Sequence, residues 1–189
     1  MILATRNPHK LREFRRVIGE DRLSELPAEV ELGPEIGETF AENALAKART
    51  AAQATGRAAI ADDSGIAAQA LDGAPGVRSA RFAGEHASDQ ENLDLLTLRA
   101  PAGSRLRYIC ALAYVDPQTG EERLFEGRCD GRMAATPRGS GGFGYDPVFV
   151  PDAADGRTMA ELDPAEKDAI SHRGAAIREL AAWLAAGRP

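Results

Sequence analysis

Two adjacent carboxylates, Asp62 and Asp63, followed by Ser64 and Gly65, stand at the end of the short apolar run Ala58-Ala59-Ile60-Ala61. The ends of strands are where open α/β sheets take their ligands, which places this pair at the mouth of a site. The run predicts a buried strand, and Gly65 permits a break in it. Successive strand residues point to opposite faces, so one carboxylate would serve the chemistry and its neighbour the scaffold. The alternative is an Asp-rich turn whose side chains bond only nearby backbone.

Cations sit where anions would be welcome. Thr5-Arg6-Asn7-Pro8-His9-Lys10 joins a strand over residues 2–5 to a helix carrying Leu11, Phe14 and Ile18, and free N–H groups at such a helix start favour an anion. Lys47 lies in the middle of a second helix, and for both lysines the competing reading is a solvated surface. Lys167, His172 and Arg173 gather at the start of a late helix, a placement that is unfavourable unless an anion docks there. Gly139-Ser140-Gly141-Gly142-Phe143-Gly144 satisfies G-x-G-x-x-G, but Tyr145-Asp146-Pro147 and a strand-like run follow it rather than a helix. That context excludes a dinucleotide fingerprint. The loop is read as displaying Phe143, Tyr145 and Asp146, with the aromatic as a stacking platform for a flat ligand, or else as a hairpin corner with a buried aromatic.

The elements that must position these groups are legible. Thr39 and Glu42 form a capping box for a helix to about residue 55, which Gly56 ends; Ser88 and Glu91 repeat the device ahead of a helix that stops before Pro101. Residues 106–115 and 122–129 flank the turn signal Asp116-Pro117-Gln118-Thr119-Gly120 and predict a hairpin. Asp163-Pro164 opens a further helix, and the last carries Ile177, Leu180 and Trp183 or Leu184 and ends at Gly187.

The chain has 189 residues, 43% hydrophobic and 28% charged, and a formal net charge of −6. That length fits a single domain, residues 1–189, with a sizeable core. No apolar run reaches the ~18 residues of a membrane span, and the N-terminus does not read as a signal peptide, so a cytoplasmic protein is expected. The negative balance argues against a broad nucleic-acid surface, yet a few cations focused in a cleft can still hold a small anion. Cys110 and Cys129 form neither a ligand spacing nor a disulfide framework, and His9, His86 and His172 are too scattered for zinc.

Taken in series, the segments Ala4–Lys10, Thr39–Ala48, Asp62-Asp63-Ser64-Gly65 with Gly73–Gly76 and Ser79–Phe82, Gly141–Pro147 and Ser171–Gly174 resemble the Ham1-like inosine triphosphate pyrophosphatase family. The match covers nearly the whole chain in order, with Arg6 standing where members often carry glycine. The resemblance implies a long mixed sheet flanked by helices, two lobes around a nucleotide-binding cleft, and a homodimer. It implies Mg²⁺-dependent hydrolysis of non-canonical purine nucleoside triphosphates (dITP, ITP, XTP) to the monophosphate and pyrophosphate. By position, Thr5, Asn7 and Lys10 would grip the triphosphate, within the loop that includes Arg6, Pro8 and His9, and Lys47 would reach it from the second helix. Glu35 and Asp63 would hold magnesium, with Asp63 also the proton acceptor, and Ser64 would touch the ligand beside it. Phe143, Gly144, Tyr145, Asp146 and Lys167 would frame base and sugar, and His172 and Arg173 would read the 6-oxo edge. The alternatives are a Maf-like pyrophosphatase with modified or pyrimidine substrates and a non-catalytic nucleotide-sensing module.

Overall fold

A computed structural model describes residues 1–187. In chain order the elements are β1 (Ile2–Leu3), α1 (Pro8–Ile18), β2 (Ser24–Glu25), α2 (Phe40–Thr55), β3 (Ala59–Ala68), α3 (Asp89–Arg99), β4 (Arg105–Asp116), β5 (Glu121–Met133), β6 (Phe149–Pro151), α4 (Pro164–Ile170) and α5 (His172–Ala185), with short 3₁₀ turns between them. The six strands form a mixed sheet in the order β2-β1-β3-β4-β5-β6. β1 runs parallel to β2 and β3, while β6 pairs antiparallel with β5. Among the described residues no helix is long and apolar enough to cross a membrane.

Local signals set the helix boundaries. Capping boxes at Thr39/Glu42, Ser88/Glu91 and Asp163/Glu166 open α2, α3 and α4, and Gly56 closes α2 in the left-handed conformation. β4 and β5 form the expected hairpin strands, each longer than the sequence suggests.

The residues fall into two compact units. The first comprises residues 1–63, 110–127 and 173–187; the second comprises 64–109 and 128–172. In the first unit, alternation along the strands sorts the core into two layers. Ala4, Ala59, Ala61, Ala111 and Ala113 face the alanines of α2, Ala44, Ala48, Ala51 and Ala52. Leu3, Ile60, Cys110, Leu112 and Tyr114 face Phe14 and Ile18 of α1 and Ile177 and Leu180 of α5. The second unit has its own core, in which Ile66, Leu96, Leu106, Tyr108, Val148 and Phe149 are buried.

β3 does not end at Gly65 but continues to Ala68, so the Asp-rich stretch is strand rather than turn. Gly65 is small because Ser79 packs against it: a Cβ there would stand 2.3 Å from Ser79 Oγ, the hydroxyl that accepts a hydrogen bond from the Ile66 N–H. Lys167 lies in the last turn of α4, at the favourable end of a helix dipole, and not at a helix start. Tyr145 and Asp146 are buried rather than displayed.

Candidate active site

The strand alternation that sorts the core also sorts the two aspartates. Asp62 shares the face of Ile60, toward α1 and α5; Asp63 shares the face of Ala59 and Ala61, toward α2. Each meets a different set of partners.

On the Asp62 side, Arg173 in the first turn of α5 donates from Nε to Asp62 Oδ2 at 3.0 Å and from Nη1 to Glu13 Oε2 at 2.5 Å. Lys10 Nζ lies 3.0 Å from the same Asp62 oxygen. Lys10 and Glu13 are three residues apart on α1 and so share one face. Glu13, Asp62 and Arg173 are all buried. Burial alone would raise the Asp62 carboxyl, but Lys10, Arg173 and Lys47 hold it well below the usual carboxylate range. The cationic start of α5 is therefore balanced by the protein's own carboxylates. Cys110 packs at the same place, its thiol pushed up by burial and by Asp62 and hence inert.

On the Asp63 side, α2 presents Asn43 and Lys47, one helical turn apart. Asn43 Nδ2 donates to Asp63 Oδ2 at 2.9 Å, and its Oδ1 accepts from the Gly37 N–H at 2.8 Å. Lys47 Nζ donates to Glu35 Oε1 and lies 3.7 Å from Asp63 Oδ1. One ammonium thus lies against both carboxylates predicted to hold metal. Burial raises the Asp63 carboxyl above its ordinary value; Lys47 opposes the rise and Glu35 adds to it. Lys47 is raised too: burial works against its charge, but Asp62, Asp63 and Glu35 outweigh it.

The N-terminal loop is built around its own side chains. Asn7 caps α1, its Oδ1 accepting from the N–H groups of His9 and Lys10, and Thr5 Oγ1 accepts from the Asn7 N–H. Pro8 occupies the first helical turn, where no N–H is needed. Arg6 donates to the carbonyls of Leu26, Pro27, Ala28 and Val30, turned onto that loop. His9 Nδ1 lies 2.9 Å from Arg12 at the surface.

In the second unit, Asp146 organises the glycine-rich loop. Its carboxylate accepts from Lys167 Nζ at 2.6 Å, Tyr108 Oη at 3.1 Å and the Phe143 N–H at 3.0 Å. The Lys167 ammonium also lies 4.9 Å from the centre of the half-buried Phe143 ring. Tyr145 Oη donates to the Ser79 carbonyl, and the Gly144 N–H donates to Asp89. Tyr108 stacks on His172 with centroids 4.5 Å apart and planes 7° from parallel. Ser64, half-buried, sits next to Asp63 in β3.

This arrangement requires Gly142. Its φ is +70°, and a Cβ would stand 1.9 Å from Asp146 Oδ2. Gly142→Ala is expected to cost about 1–3 kcal/mol in backbone strain, plus the lost Lys167–Asp146 contact. Gly144, at φ +59° with nothing within 4 Å of a Cβ, isolates the strain component. In thermal unfolding, Gly142→Ala should lose more Tm than Gly144→Ala; equal losses would mean that Asp146 tolerates the methyl group.

The donors in the first unit fit a hard divalent cation. Among the described residues no group of three or more His, Cys, Asp or Glu is arranged to hold a metal by itself. Magnesium asks for less: it usually takes one or two carboxylates and completes its shell with water and substrate phosphates. Two carboxylates that share one ammonium, one with its ionisation opposed by burial and by the other's charge, are groups that such a cation would stabilise.

Asp62 and Asp63 were legible as a pair, and both lysines prove to lie beside them. Glu13 and Asn43 were missed. The spacing of Asn43 and Lys47 on one helix face was a usable signal for Asn43, whereas Glu13 carried none, because its partner Arg173 lies 160 residues away.

Comparison with known proteins gives a consistent result. The Ham1 family model matches residues 1–183. The dITP/XTP pyrophosphatase of Mycolicibacterium paratuberculosis is 49% identical over 191 residues, covering 95% of this chain and 93% of that protein. A HAM1 protein from Coxiella burnetii has a TM-score of 0.86 at 39% identity, covering 98% of each chain. The Mycobacterium abscessus nucleoside-triphosphatase / dITP/XTP pyrophosphatase has a TM-score of 0.74 at 47% identity, covering 97% of each chain.

Proposed function

Because the chain belongs to the Ham1 family, we propose that it hydrolyses dITP, ITP and XTP to the monophosphate and pyrophosphate with magnesium. The observation that carries this reading is the placement of Asp62 and Asp63 on opposite faces of β3, which gathers Lys10, Lys47 and Glu35 beside two carboxylates. When bound, the metal would offset triphosphate charge and polarise a water. Glu35 and Asp63 would hold it. Lys10, fixed by Asp62, and Lys47 take phosphate oxygens, with Thr5 and Asn7 holding the loop that carries Lys10. A water attacks the α-phosphorus and the bond to the bridging oxygen breaks. Pyrophosphate takes that electron pair, and Asp63 receives the water's proton.

In the second unit, Phe143 and the Lys167 ammonium take the base, with Gly144, Tyr145 and Asp146 holding the loop in place. His172 supplies a donor to the 6-oxo group, while Arg173, in the first unit, is held by Asp62 and Glu13. Adenine would set its amino donor against the His172 donor, a mismatch that can reach ~10⁴–10⁵-fold in discrimination. A cytoplasmic homodimer completes the reading.

With ITP and Mg²⁺, pyrophosphate is the expected first inorganic product. Orthophosphate appearing first would reject cleavage between the α- and β-phosphates, and tight ITP binding without turnover would make the protein a sensor.

A further inference from the structure

We propose that Lys47 is a resident stand-in for the divalent cation, its ammonium holding Glu35 and Asp63 together until metal and phosphate arrive, so that those two ligands bind synergistically. The proposal rests on the reading of Glu35 and Asp63 as metal ligands. It concerns the order and coupling of binding, which that reading leaves open.

Lys47 Nζ bonds Glu35 and lies 3.7 Å from Asp63, with its side chain only 10% exposed. A cation joining those two carboxylates would enter the space facing this ammonium, and two cations there repel each other strongly at low local dielectric. Charge counting points the same way. Two carboxylates and one ammonium sum to a single negative charge; a dication turns the cluster positive, and a phosphate group restores the balance. The metal alone therefore faces a competitor, whereas metal with phosphate gives the ammonium a new partner.

The chain is built for that exchange. Asn43 ties Asp63 to the Gly37 backbone, two residues from Glu35, so Asp63 keeps its place without Lys47. The lysine stem has four rotatable carbons and a point-like head, so the amine can move by a few ångströms while α2 stays still.

Linkage makes the prediction reciprocal: whatever pyrophosphate adds to metal affinity, metal adds to pyrophosphate affinity. The test is Mn²⁺ binding to the folded protein, followed by calorimetry, with and without inorganic pyrophosphate. Without pyrophosphate, Lys47→Gln is expected to bind Mn²⁺ about tenfold or more tightly than the wild type, within the usual range of coupling. Pyrophosphate should then tighten Mn²⁺ binding more in the wild type than in the variant. Lys47→Arg keeps the charge and should bind Mn²⁺ no more tightly than the wild type. Lys47→Met carries the same expectation as Lys47→Gln where the latter does not fold. Unchanged or weaker Mn²⁺ binding by the neutral variants overturns the stand-in role, as does equal tightening by Lys47→Arg. Mn²⁺ binding to none of the proteins, with or without pyrophosphate, would instead reject Glu35 and Asp63 as a metal site and take this proposal with it.

Discussion

Asp63→Asn is expected to abolish nearly all turnover while leaving the protein at least as stable as the wild type. The substitution is isosteric, and the asparagine oxygen can still accept from Asn43 Nδ2, so the tie to Gly37 survives. Activity loses both a metal-ligand charge and a proton acceptor; removing the latter alone typically costs about 10²–10⁴-fold. Stability moves the other way. The folded-state pKa of Asp63 is raised, by burial first and then by Glu35. A carboxyl raised on folding favours the folded state below its unfolded pKa and loses that advantage as pH rises through the folded value. Near neutrality the ionised Asp63 therefore strains the metal-free fold, and an amide removes the strain. Pyrophosphate release at saturating Mg²⁺, alongside metal-free thermal unfolding, reads both effects. A near-wild-type rate would remove Asp63 from the chemistry, and a large fall in Tm would show its charge to be structural.

The contrast between what was and was not readable in the chain follows the range of each interaction. Capping boxes act over three residues, so Thr39, Ser88 and Asp163 announce α2, α3 and α4 directly. Strand alternation acts over two, and it was enough to send Asp62 and Asp63 to opposite faces. Gly65 was misread because the reason for it, Ser79, arrives from the turn at residues 76–81 and leaves no mark on the strand's own pattern. Tyr145 and Asp146 looked like displayed loop residues for the same reason: their partners Ser79, Tyr108 and Lys167 are far away in sequence. Arg6, a departure from the family's usual glycine, gave no hint of the four carbonyls it would meet. Family resemblance supplied Glu35, whose surrounding sequence announces no element; the structure adds Lys47 as its immediate neighbour.

Asp62→Asn, the same substitution one residue earlier, is expected to have the opposite effect on stability. Asp62 is the buried hinge of a charge chain running from Glu13 through Arg173 and Asp62 to Lys10. Neutralising it leaves Arg173 with Glu13 and deprives Lys10 of its carboxylate in a dry setting. Breaking a buried ion network from one side costs about 3–5 kcal/mol, and at this chain length each kcal/mol lowers Tm by about 2–4 °C. The pH dependence carries the same sign. The folded-state pKa of Asp62 is held down by Lys10, Arg173 and Lys47 despite burial. Its contribution is therefore fully present above the unfolded carboxylate pKa, near about 4, and is lost as pH falls from there through the lower folded value. Wild-type stability should accordingly fall away below about pH 4, whereas the Asp62→Asn protein, already without that contribution, should show a shallower acid slope. Activity should suffer as well, through KM, because Lys10 loses the carboxylate that fixes its ammonium. Denaturant unfolding between pH 3 and 7, in the neutral and acid ranges set by the ordinary carboxylate pKa of about 3.9, separates the two aspartates. An unfolding free energy for Asp62→Asn equal to that of the wild type at neutral pH would mean that the chain from Glu13 to Lys10 does not hold this face of the sheet together.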